Sequence, residues 1–107
     1  MEVKASDMLS AAADLVGGQR AQDYGDKYVN HMRIAKLWTM WLQERAVSWR
    51  VDCENEGEDS DFQISPYDVA MMMLLVKVAR LMHSPGHTDC HIDIAGYASV
   101  MEEIVND

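Results

Sequence analysis

The sequence predicts an all-α fold, a four-helix bundle-like domain, on three observations. Apolar residues recur at three- and four-residue spacing through most of its length, helix-start and helix-stop signals bracket the periodic stretches, and one helix is apolar nearly all round. At 107 residues the chain fits a single domain spanning 1–107. An apolar fraction of 49% and a charged fraction of 25% are those of a globular protein.

Met8, Ala11, Ala12, Leu15 and Val16 mark the first helix, about 5–16, which Gly17-Gly18 ends. A polar connection follows, with its turn at Tyr24-Gly25. The second helix, about 26–47, carries the stripe His31, Ile34, Trp38, Trp41 and Leu42, and its tryptophans are the expected anchors of helix packing. His31 sits on that buried stripe, where a core hydrogen bond or a site role would suit it.

Between Asp52 and Asp61 stand six acidic residues and no basic one. The insertion, about 51–65, is expected to be a solvated acidic loop or a short hairpin joining Trp49 and Val51 to Phe62 and Ile64. Ser65-Pro66-Tyr67-Asp68 then opens the third helix, about 66–83, with Ser65 as cap and Pro66 in the first turn. Its residues Val69 to Val76 are all apolar, so the helix must be surrounded, and a Met-rich seam with a second copy of the chain is the expected cover. Ser84-Pro85-Gly86 stops it. The last helix, about 89–105, has a small face of Ile92, Ala95, Gly96 and Ser99, which is expected to let a neighbour approach closely.

A formal charge of −9 argues against binding a nucleic acid duplex, but a few cations in one pocket can still hold a small phosphorylated ligand. No apolar run reaches the ~20 residues of a membrane span, and Cys53 and Cys90 lack the spacing of a redox or zinc pair. Reduced thiols in a cytoplasm are the plain expectation. His87, Asp89, His91 and Asp93 alternate, but a helix from Asp89 turns His91 away from the two carboxylates.

The chemistry concentrates elsewhere. Lys77 and Arg80 share one face of the apolar third helix, and Asp89 and Asp93 share a face of the next, one short turn away. Two cations among apolar side chains need partners. The four therefore form either an ion-pair network fixing helix register or a pocket in which Lys77 and Arg80 hold phosphate while Asp89 and Asp93 bind Mg²⁺ or orient a water.

Several motifs carry a resemblance: Arg20-x-x-x-Tyr24-Gly25, Ile34-Ala35-x-Leu37-Trp38, Asp68-Val69-Ala70 running on to Lys77-x-Ala79-Arg80, and His87-x-Asp89-x-x-x-Asp93-x-Ala95-Gly96-Tyr97-Ala98. Together they resemble a family of small helical proteins of tailed bacteriophages and prophages with no established activity. They are more distantly similar to a phage domain associated with nucleotide modification, and to the MazG-like all-α nucleoside triphosphate pyrophosphohydrolases, which are helical oligomers using Mg²⁺. That resemblance implies a protein of the bacterial host cytoplasm that binds a nucleotide. Asp89 and Asp93 would be its metal-binding and catalytic residues, Lys77 and Arg80 its phosphate ligands, with Tyr24, His31 and Tyr97 lining the pocket. One departure stands out. The Glu-x-x-Glu helix that pairs with the second acidic motif in MazG-like enzymes is missing, since the second helix has only Glu44 near its end. The alternatives are a non-enzymatic module that sequesters a nucleotide signal or binds a host protein, and a purely structural oligomer.

Overall fold

A computed structural model describes residues 3–18, 22, 25–57 and 61–107. Four helices stand among them: α1 (Ala5–Gly17), α2 (Lys27–Glu56), α3 (Pro66–His83) and α4 (Thr88–Asn106). No strand occurs among the described residues.

The second helix runs well past its expected end. Asp26 caps it by accepting from the Val29 N–H at 3.0 Å, and it continues for 30 residues to Gly57, whose left-handed φ of 74° closes it. An acidic stretch needs no core to be helical, because glutamate is a good helix former and the face can stay in solvent. Cys53 is buried, and Trp49 meets Phe62 edge to face at 6.2 Å, so the chain returns against α2 through a side-chain contact where a hairpin was one expectation.

Two tryptophans set the α2–α3 register. Trp38 Nε1 donates to the Met72 carbonyl at 2.7 Å, and Trp41 Nε1 donates to Asp68 Oδ1 at 3.1 Å. Advancing along α2 thus means retreating along α3, which makes the pair antiparallel. The capping box at Ser65 forms as its residues predict, with Asp68 accepting from the Ser65 N–H and hydroxyl at 2.9 Å each while its own N–H donates to Ser65 Oγ. Arg45 Nε adds a fourth bond to the same carboxylate at 3.0 Å. Asp68 is fully buried, so one carboxylate starts α3 and fastens it to α2.

The four-residue link from Ser84 to His87 folds α4 back along α3, and the register follows from a Lys77–Asp93 ion pair of 3.0 Å. Ala79 and Cys90, then Ala70 and Met101, lie at matching heights on these two helices and are all buried. The inward face of α4 is Cys90, Ile94, Tyr97, Met101 and Ile104. The expected small face is instead the outer one: Ile92 is 61% exposed, and a side chain added at Gly96 would meet nothing within 4 Å.

α3 therefore lies between α2 and α4, covered in part by its own chain, while Val69, Met73 and Met82 remain exposed. α1 buries none of its residues and packs on no other helix among the described residues. The molecule is correspondingly extended. Its radius of gyration is 18.0 Å, against the ~13 Å of a compact domain of this length.

Candidate functional site

A cleft of about 570 Å³ opens where the ends of α1, α2 and α3 converge. Val16, Ile34, Ala35, Trp38 and Val76 make its walls, and Lys27, Asn30, His31 and Arg80 supply the polar groups. Its size and its mix of apolar walls with a few convergent polar atoms are those of a small-molecule site.

Local geometry holds these groups in place. Gly25 takes a φ of 73°, and a Cβ there would stand 2.8 Å from the His83 ring, so only glycine lets the chain turn into α2 against the end of α3. That turn falls where Tyr24-Gly25 predicts it; Tyr24 itself lies outside the described residues. His31 is exposed rather than on a buried stripe, and its Nδ1 is 2.7 Å from the Lys27 carbonyl one turn back. The ring lines the cleft together with Ile34 and Trp38 of the same stripe, so the face expected to be core is here partly open. Asn30 is buried to 5% exposure, and its Oδ1 has no hydrogen-bond partner. A buried acceptor of that kind is a standing invitation to an N–H donor.

Of the four charged residues singled out by the sequence, Lys77 and Asp93 pair at 3.0 Å, with Arg80 one turn further along α3 and Asp89 one turn back along α4. Burial pushes the Cys90 thiol above its usual range, Lys77 and Arg80 pull it down, and Asp93 and Asp89 raise it again, so all four fields act at that sulfur. Their roles differ. Lys77, with 16% of its side chain exposed, is held by Asp93; Arg80 lines the cleft; Asp89 is exposed. Tyr97 is half-buried on α4, which contributes no lining residue among those described.

No group of three or more His, Cys, Asp or Glu side chains able to hold a metal ion occurs among the described residues. No described helix is long and apolar enough to cross a membrane.

Lys27 and Asn30 were not foreseen as site residues. The signal for Asn30 was available: an amide among Ile34, Leu37, Trp38 and Trp41 on the inner side of α2 is a polar group placed where a core residue is expected.

Helices α2 to α4 and the cleft at their α1 end define an all-helical domain with a ligand-sized opening beside a charged cluster. The chain belongs to a family described as a domain of unknown function (DUF6378), whose model matches residues 7–105. It is 42% identical over 97 residues to the Gene 55 protein of Mycobacterium phage L5, covering 91% of this chain and 51% of that protein. To the Gene 55 protein of Mycobacterium phage D29 it is 32% identical over 97 residues, covering 91% and 52%. The chain thus spans about half the length of these curated phage relatives. No solved structure matches it.

Proposed function

We propose that this phage-type domain binds a small phosphorylated ligand of the nucleotide class in the cleft between α1, α2 and α3. The supporting observation is that Arg80, one of the four clustered charges, is also a wall residue of a cleft that holds Lys27 and the unpartnered Asn30 Oδ1. Arg80 and Lys27 provide cations for phosphate oxygens, the flat Trp38 ring forms an apolar wall for a base, and Asn30 offers an acceptor to a ring or amino N–H. His31 stands at the same wall as a further hydrogen-bonding group.

Melting the protein with a panel of nucleoside mono-, di- and triphosphates tests this, because a ligand that binds only the folded state raises the melting temperature. At least one nucleotide should raise it by several degrees, and Arg80→Gln and Asn30→Leu should each reduce that rise. A folded protein indifferent to every nucleotide would sink the reading.

A second reading, hydrolysis to release pyrophosphate, is favoured by the pairing of Lys77 with Asp93, one turn from Arg80 on α3 and from Asp89 on α4. The same panel with Mg²⁺ and a pyrophosphate assay separates the two. Turnover lost in Asp89→Asn and Asp93→Asn supports the enzyme, whereas stabilisation without turnover supports sequestration.

A further inference from the structure

α2 is apolar on two opposite sides. Its inner side, with Ile34, Trp38 and Trp41, faces the cleft and α3. Its outer side carries Val29, Met32, Met40, Val47 and Val51 at spacings of 3, 8, 7 and 4 residues, a stripe about 33 Å long. All five are exposed, from 39% at Met32 to 58% at Met40, and nothing among the described residues covers them.

The stripe is nearly symmetric about Met40. Val29 and Val51 lie eleven residues to either side, Arg33 and Val47 seven, and Lys36 and Glu44 four. Laid antiparallel across another copy of itself, α2 would place Met40 on Met40, Val29 on Val51 and Lys36 on Glu44, each contact occurring twice as a two-fold axis requires. Neither Lys36 nor Glu44 has an opposite charge three or four residues away on its own helix, so each lacks the usual intrahelical partner.

Charge at the helix ends points the same way. Although Asp26 caps its start, α2 has no basic residue in its last turn, and Asp52, Glu54 and Glu56 crowd its C-terminal end. That arrangement opposes the helix dipole of a lone helix. In an antiparallel pair the acidic end of one copy lies beside the Lys27 end of the other.

The amount of surface is also right. The chain exposes 7890 Å², against about 6,000 Å² for a compact monomer of its mass, an excess of about 1,900 Å² to which the undocked α1 and the α2 stripe both contribute. One partner of a standard interface contributes about 800 Å². We infer that α2 is the seam of a two-fold homodimer, packed antiparallel on α2 of a second copy about Met40. This places on α2 the self-association that the sequence leads one to expect on α3, a helix covered in part by α2 and α4 although Val69, Met73 and Met82 stay exposed.

The full chain should run as a dimer by light scattering at tens of micromolar. Met40→Glu, which sets two carboxylates face to face, should halve the mass with helical circular dichroism retained. Lys36→Glu should weaken the dimer at least tenfold, and Lys36→Glu with Glu44→Lys should restore it. Met40→Cys should oxidise to a covalent dimer, as Cys53 and Cys90 are buried. A monomeric wild type, whether because α1 folds over the stripe or because another protein is its partner, overturns the inference. So does a dimer that survives both Met40→Glu and Lys36→Glu, which would place the seam elsewhere.

Discussion

The two ends of α3 carry charge in opposite styles. Near its start, Asp68 is fully buried and accepts bonds from Ser65, Trp41 and Arg45. Nine residues on, about 13 Å along the axis, Lys77 meets an Asp93 whose side chain is 44% exposed, and Arg80 turns to a cleft. A carboxylate that accepts four bonds from its own fold has nothing left for a ligand, whereas Arg80 lines a cleft. The first node joins helices; the second stands beside the cleft.

The largest expected effect comes from removing the first node. Asp68→Ala deletes a helix cap worth about 1 kcal/mol and leaves Trp41 and Arg45 donors without their acceptor, so the total loss should be about 3 kcal/mol. Thermal melting should show it as a drop of more than about 12 °C. Acid should act at the same place. Burial alone would raise the Asp68 pKa, but the bonds from Ser65, Arg45 and Trp41 outweigh it and hold the carboxyl below its ordinary value. The unfolded chain therefore binds this proton more readily than the native one. The stabilisation is complete above about pH 4 and is lost as pH falls through the native value. Asp68→Asn should flatten that acid limb, and an unchanged limb would assign it to other carboxylates.

Much of this contrast could be read from the residues. Ser65-Pro66 and Asp68 announce a cap, and the two cations on an apolar helix announce a need for partners, because both signals are local. The second role of Asp68 was not legible, since it depends on Trp41 and Arg45 arriving from α2, and sequence spacing carries no interhelix register. The length of α2 was hidden for another reason. Composition identifies Asp52 to Asp61 as unfit for a core, yet a solvated helix face has the same composition, and only the left-handed Gly57 marks where it ends. The cleft was half visible: Arg80 and His31 were named, whereas Lys27 and Asn30 depend on how the turn at Gly25 aims α2 at α3.

A smaller effect should separate that turn from an ordinary helix end. Gly25 and Gly57 have nearly the same positive φ, 73° and 74°, but a Cβ meets the His83 ring at the first and nothing at the second. Gly57→Ala should cost about 1 kcal/mol, the strain of an L-residue in the left-handed region. Gly25→Ala should cost more, and Gly25→Ala combined with His83→Ala should recover the difference. Equal costs in the two single variants would mean that His83 yields freely and that Gly25 is needed for its backbone alone.

The smallest effect on stability bears most directly on the site. A part-exposed ion pair contributes less than about 1 kcal/mol, so Asp93→Asn should melt within a few degrees of the unaltered chain. Its effect on an anionic ligand should be of the opposite sign. Removing the carboxylate frees Lys77 and makes the field beside Arg80 more positive, so a nucleotide bound by these cations should bind several-fold more tightly, and most visibly at low salt. Titration calorimetry alongside melting curves reads both quantities on one sample. If Asp93→Asn destabilises the fold as severely as Asp68→Ala while ligand affinity stays fixed, the two ends of α3 are alike and the cluster is a second structural bolt. If stability is nearly unchanged and affinity rises, the ion pair masks a charge of the binding site, and the distinction between the two ends is one of function.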